Sequence, residues 1–73
     1  MTMDSKYEII IFWSEEDDAF VADVPELPGC MAHGRSHSDA LINAEEAMAL
    51  WIETAQEMGR EIPQPKGRRL AFA

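Results

Sequence analysis

The chain has 73 residues, the length of one small domain (residues 1–73), and it leaves room for only a thin hydrophobic core. It carries 14 acidic and 6 basic residues, and the net charge of −8 argues against direct contact with nucleic acid, which needs cations against phosphate. The single cysteine, Cys30, excludes an intramolecular disulfide and a cysteine-rich zinc site.

The sequence has no feature of export or membrane insertion. No apolar run reaches the roughly 20 residues of a membrane span. Residues 1–6 lack the basic and apolar regions of a signal peptide. A lone free cysteine also fits a reducing compartment. We therefore expect a cytoplasmic protein that does not contact a membrane.

A β-hairpin is predicted first. Residues 7–14 are rich in β-branched and aromatic side chains, and both of their alternating faces are apolar. Residues 15–18 are consecutive acids that predict a solvated turn, and residues 19–24 form the return strand. Because an open antiparallel sheet usually has one wet face, two apolar faces predict that a second subunit covers the sheet. We assign Ile9, Ile11 and Trp13 to that oligomer interface.

A rigid loop and a third strand follow the hairpin. Two prolines and a glycine within residues 24–30 exclude a helix or a paired central strand there. The apolar Val24, Leu27 and Cys30 in this stretch predict a docked loop, which places Glu26 at the surface beside the acidic turn. Residues 30–35 then form a short strand.

A long helix is the next predicted element. Ser36 and Asp39 have capping-box spacing, and Gly59 is expected to end the helix in the left-handed conformation after about Met58. Ile42 and Leu50 lie off the apolar stripe. The stripe itself recurs in steps of three and four residues: Ala40, Leu41, Ala44, Ala47, Met48, Trp51, Ile52, Ala55 and Met58.

The element order predicts an α+β fold. A three-stranded antiparallel meander carries one long helix on one face, and residues 70–73 can add a short final strand. We expect no cofactor and no enzymatic activity. Neither His33 nor His37 has a partner at metal-ligand or triad spacing, and Cys30 after a Pro-Gly turn is typical of a buried thiol.

One catalytic alternative stays open. Asp17, Asp18, Asp23 and Glu26 can be drawn together as the ligands of a metal-dependent nuclease. The first three of these acids, however, lie in and around a turn, where carboxylates are ordinarily solvated.

The charge is distributed unevenly along the chain. Residues 1–59 contain 13 acids against Lys6 and Arg35, a net charge of −11. Such an imbalance favours a basic partner, because complementary charge speeds encounter and selects partners. The residues that we assign to this contact are Glu15, Glu16, Asp17, Asp18 and Glu26.

An ordered set of short motifs extends over about residues 7–65. Its members are Asp18-Ala19-Phe20, residues 24–30 (VPELPGC), Gly34, Ser36, Asp39-Ala40-Leu41, Asn43-Ala44 and Glu46-Ala47. Taken together, they resemble the HicB family of antitoxins, in its N-terminal partner-binding domain.

The resemblance implies a β-β-β-α-β domain with a reduced RNase H-like fold. It also implies a partner: HicA, a small basic toxin with a dsRNA-binding-domain-like fold that cleaves mRNA and is neutralised when the antitoxin covers its active site. Many relatives continue into a DNA-binding domain, which we do not expect here because the sequence ends at Ala73. Many relatives also have a glycine in the hairpin turn, where this sequence has only acids. The alternative is an orphan oligomeric module, structural or regulatory, that has no toxin.

Overall fold

The computed structural model describes residues 6–65. Within them the elements are β1 (Ile10–Ser14), β2 (Ala19–Asp23), β3 (Met31–Gly34) and α1 (His37–Glu57). The strands form one antiparallel sheet in the order β1-β2-β3. The predicted α+β meander with one helix is therefore confirmed. The predicted final strand at residues 70–73 lies outside the described residues, and the RNase H-like relationship stays a prediction.

Small side chains bring the sheet and the helix close together. Ala22 of β2 pairs with Ala32 of β3, and Ala22 is buried against Ala40 and Ala44 of α1. None of these three buried alanines exposes any surface. Ile11 pairs with Ala22 from the other side and packs against the same cluster, so this row of the sheet faces the helix.

The loop between β2 and β3 is docked as predicted. Val24, Leu27 and Cys30 are buried together with Met48 of α1 in a second core cluster. Two successive turns shape the loop, since the Leu27 amide donates to the Val24 carbonyl and the Cys30 amide donates to the Leu27 carbonyl. The Val24 amide closes the loop by donating to the Cys30 carbonyl at 3.0 Å. Gly29 supplies the one residue in the loop with positive φ, at +80°.

The residues proposed for an oligomer interface lie on the helix side of the sheet. Ile9 and Ile11 pack against the chain's own core, and Trp13 shares their face, where its ring meets Phe20 edge-on at 5.2 Å. Because both faces of β1 are apolar, the sequence pattern did not show which face is open, and the prediction chose the face that packs on the helix. Ile10 and Phe12 occupy the open face instead, and self-association itself stays a prediction.

Strand β1 begins three residues later than predicted. Its pairing with β2 ends at Ile10 and Asp23, because β2 stops where the proline loop begins. Tyr7 and Ile9 instead pack against the second core cluster, and the Glu8 amide donates to the Glu26 carboxylate. The apolar content of residues 7–9 therefore reflects burial in the core and not strand pairing.

The helix has the predicted ends. The Ser36 hydroxyl accepts from the Asp39 amide at 3.1 Å, and Gly59 has φ +71° just beyond the C-terminal turn. The buried stripe is narrower than predicted, since Leu41 is 38% and Met58 is 64% exposed. Leu41 lies about 100° round the helix from the buried Ala40, and Met58 caps the helix outside its last turn. No helix within residues 6–65 is long and apolar enough to cross a membrane.

Candidate partner-binding site

The acidic turn between β1 and β2 is exposed and locally braced. Glu15, Glu16, Asp17 and Asp18 all face solvent. The Ser14 hydroxyl donates to the Asp17 carboxylate at 3.0 Å, and the Asp17 amide donates back to the Ser14 oxygen at 3.3 Å. These two bonds hold the turn in one shape, so its carboxylates form a pre-ordered negative surface.

A histidine joins the turn to the far edge of the sheet. The His33 Nε2 atom of β3 lies 3.5 Å from the Asp17 Oδ2 atom, and both side chains are half exposed. An exposed pair of this kind contributes little to stability. Protonated His33 would offset one of the turn's negative charges.

Glu26 lies at the opposite end of the sheet from the acidic turn. Its Oε1 atom accepts from the Glu8 amide at 3.2 Å. Residues 8 and 14 are six residues apart along nearly extended chain, so this end lies about 20 Å from the turn at 3.4 Å per residue. The expectation that Glu26 lies beside the acidic turn is therefore wrong, because an antiparallel hairpin returns the residues after β2 to the start of β1.

An apolar surface occupies the sheet between these two acidic ends. Ile10, Phe12 and Met31 are 43%, 46% and 50% exposed on the face away from the helix. Val21, which pairs with Phe12, is nearly buried on the same face. We call these four residues, with Asp23 between Ile10 and Met31, the open sheet face. The sequence-based prediction missed this surface, although apolar residues at the even-numbered positions of β1 (Ile10 and Phe12) and at the start of β3 (Met31) indicated it.

The acids proposed for a nuclease site do not converge. Asp17 and Asp18 lie in the turn at one end of β2, Asp23 lies at the other end, and Glu26 lies beyond it. Among residues 6–65, no three His, Cys, Asp or Glu side chains are grouped so that they could hold a metal ion. The geometry therefore gives no support to the two-metal alternative.

The remaining candidate catalytic groups lie far apart or are buried. Burial, and secondly the negative charge of Asp23, raise the pKa of the Cys30 thiol, so it stays protonated and is a poor nucleophile. His33 lies on the open sheet face beside Asp17, whereas the His37 ring lies 4.2 Å from Phe20 on the helix side. In the part of the chain described, neither histidine is placed to activate Cys30.

A groove of about 310 Å³ runs between β3 and the second half of α1. Its lining includes Cys30, Met31, Leu50, Trp51 and Arg60, and the exposed Leu50 forms part of its wall. The Trp51 indole donates to the Pro28 carbonyl at 2.9 Å, which fixes the wall next to the docked loop. Among residues 6–65, its lining is largely apolar with Arg60 as the one cation, and it brings together no acid–base pair.

Comparison with known proteins identifies the fold and its family. The family model described as the HicB-like antitoxin of bacterial toxin-antitoxin systems matches residues 7–70. The chain belongs to the HicB-like antitoxin family. It is also similar to a chain of the solved HicA3 and HicB3 toxin-antitoxin complex, with a TM-score of 0.68 and 38% identity over 82% of this chain and 69% of that one.

Curated relatives extend the family across distant organisms. A UPF0150 protein of Thermoplasma acidophilum is 37% identical over 65 residues, covering 89% of this chain and 93% of that protein. A UPF0150 protein of Synechocystis sp. is 37% identical over 57 residues, covering 78% of this chain and 77% of that protein. The HicB-like family is a non-enzymatic component of toxin-antitoxin systems, and the chain is an antitoxin of this type.

Several residues of the motif set that resembles the HicB family have structural roles here. Gly34 lets β3 approach the first turn of α1, and Ser36 caps that turn. The Asn43 side-chain amide donates to the His33 carbonyl at 2.7 Å, which ties the helix to the edge of β3. These contacts set the geometry of the sheet on which the candidate partner-binding residues stand.

Proposed function

We propose that the chain neutralises a basic HicA-type toxin that cleaves mRNA, by binding it and covering its active site. The observation that carries this proposal is the similarity, in both fold and sequence, to a chain of the HicA3 and HicB3 complex. The net charge of −8 supports a basic partner. Because such a toxin acts on mRNA, the complex would form in the cytoplasm.

The electrostatic part of the proposal involves the two acidic ends of the sheet. The exposed carboxylates of residues 15–18 and the carboxylate of the partly exposed Glu26 attract cationic side chains of the toxin. Exposed charges of this kind mainly accelerate encounter and choose the partner, while the apolar contacts slow dissociation. The toxin's own RNA-binding cations would then be occupied by carboxylates and unavailable to phosphate.

Co-purification tests the proposal directly. The chain would be co-expressed with the HicA-type protein encoded beside its gene, and the tagged toxin would be captured at low and at high salt. We expect a complex at low salt that weakens as salt rises, because exposed charges are screened over about 10 Å at 0.1 M ionic strength. The absence of such a neighbour, or no complex at low salt with a folded chain, would favour the orphan module.

Self-association is a separate proposal. A chain of 73 residues without a disulfide gains stability from a second copy. Light scattering at micromolar concentration would give the mass of the free chain, and a monomeric mass would contradict this proposal while leaving toxin binding unaffected.

A further inference from the structure

We propose that the toxin docks on the open sheet face, with Phe12 near the centre of the contact and the acidic turn and Glu26 at its two ends. The inference rests on the proposed function and adds to it the surface that the toxin covers. It also joins the predicted contact residues, which lie at opposite ends of the sheet, into one binding surface.

The open sheet face has the layout of a protein interface. Ile10 and Phe12 lie two residues apart on β1, so their side chains project from the same side. Met31 lies in the same row as Ile10 across the sheet. These three partly exposed side chains form an apolar centre with a charged rim, the arrangement usual for the core and rim of a contact surface.

The carboxylate of Asp23 favours a basic partner. Asp23 lies between Ile10 and Met31 in the middle of their row, and it is only partly exposed. A partner that covers this row removes water from the carboxylate, which is costly unless a cation or a donor takes the place of that water. A lysine or arginine of a basic toxin supplies such a group.

A second copy of the chain fits this face less well. Each copy brings a charge of −8, with acids at both ends of the face. Among residues 6–65, the basic residues nearest the strands in sequence are Lys6, four residues before β1, and Arg35, directly after β3. Two copies stacked face to face would therefore bring acidic ends together with few of these described cations to separate them.

The outer surface of α1 is the main competitor. It also carries apolar and acidic groups, with Ile42 52% and Leu50 63% exposed. Glu46, however, lies midway between these two in sequence, so the apolar side chains do not adjoin one another as Ile10 and Phe12 do. Ile42 thus offers a matched control for Phe12, with similar exposure in an acidic setting.

Methionine oxidation tests the surface without any substitution. Met31 on the open sheet face and Met58 at the end of α1 are both at least half exposed. We expect the bound toxin to slow peroxide oxidation of Met31 several-fold and to leave the oxidation of Met58 unchanged, as measured by peptide mass spectrometry. Equal oxidation of Met31 in the free chain and in the complex would overturn the inference while the proposed function stands.

Paired substitutions give the second readout. Phe12→Ser is expected to weaken toxin binding about tenfold or more, and Ile42→Ser less than about threefold. Asp23→Asn should weaken binding more than Glu46→Gln. Circular dichroism and urea unfolding would establish that each variant is folded before its affinity is measured.

The remaining outcomes distinguish toxin docking on the sheet from docking on the helix and from occupation of the face by a second copy. If the wild-type chain does not bind the toxin at all, the proposed function fails and this inference fails with it. If Ile42→Ser and Glu46→Gln weaken binding more than the sheet variants do, the toxin docks on the helix. If Met31 is protected in the free chain and the mass is dimeric, a second copy occupies the face.

Discussion

Gly34 and Ala40 hold the third strand against the start of the helix at a distance that admits no side chain. A Cβ added to Gly34 would lie 2.8 Å from the Ala40 Cα and 2.7 Å from the Asp39 carbonyl carbon. Both neighbours are backbone atoms, so neither can swing away. The spacing of sheet and helix is therefore set by this contact.

Replacing Gly34 by alanine should destabilise the fold. We expect Gly34→Ala to lower the free energy of unfolding by about 1–3 kcal/mol, because the strand or the helix must shift. Gly59→Ala is the control, since its added Cβ meets open space and only its φ of +71° is unfavourable. Urea unfolding would measure both variants against the wild-type chain, and a Gly34→Ala chain as stable as the wild type would contradict the close strand–helix contact.

One position of the acidic turn has a backbone conformation that favours glycine. Asp18 has φ +53°, which is left-handed and costs an L-residue about 1 kcal/mol or more, somewhat less for aspartate. Asp18→Gly should therefore raise the free energy of unfolding only slightly, by up to about 0.5 kcal/mol, because the relief at positive φ is partly offset by the greater freedom of glycine in the unfolded chain. Asp18→Asn separates the effect of the charge from the effect of the backbone conformation, because it removes the charge and keeps a residue that tolerates positive φ. Toxin affinity should fall in both variants while stability rises only in the first, and a destabilised Asp18→Gly chain would count against the turn geometry.

Tyr7 links the segment before β1 to the segment after the helix. Its hydroxyl donates to the Pro63 carbonyl. Burial, and secondly the negative charge of Glu26, raise the pKa of this hydroxyl above its ordinary value. Tyr7→Phe should cost about 1 kcal/mol of stability at neutral pH, because it removes a partly buried hydrogen bond.

The raised pKa of Tyr7 predicts a loss of stability in alkali. Because the folded pKa lies above the unfolded one, its contribution is complete below a pH of about 10 and is lost as the pH rises through the folded value. The chain has one tyrosine, so tyrosinate absorbance reports this group alone. Titration at the same pH in the folded chain and in urea would contradict this prediction.

The buried thiol should be inert in the folded chain. Cys30 is only 4% exposed, and burial raises its pKa, so little thiolate is available. Ellman's reagent should react many times more slowly with the native chain than with the urea-unfolded chain. As the chain has one cysteine, the colour change reports Cys30 directly. Equal rates in the two states would mean that the docked loop opens freely.

Local features of the sequence predicted the elements well, because their physical causes are local. Proline geometry located the loop at residues 24–30, and the Ser36 hydroxyl with Gly59 marked both ends of the helix. The start of β1 was predicted too early because Tyr7 and Ile9 are apolar for a tertiary reason, namely burial under the docked loop.

The candidate site was predicted only in part. The exposed acids of the turn were identifiable from charge alone. The sequence did not show which alternating residues of β1 face the helix, because both faces are apolar. Only the pairing with Ala22 and the contact of Gly34 with the helix decide this. The position of Glu26 was available from hairpin geometry, since the residues after β2 must return to the start of β1.

Inhibition of mRNA cleavage is the most direct test of the central claim. A reporter mRNA would be incubated with the neighbouring HicA-type toxin and increasing amounts of the folded chain. We expect cleavage to fall to background when the chain is about equimolar with the toxin. The Phe12→Ser chain should be needed in several-fold larger amount than the Ile42→Ser chain for the same inhibition. Undiminished cleavage in a large excess of folded wild-type chain would contradict the central claim.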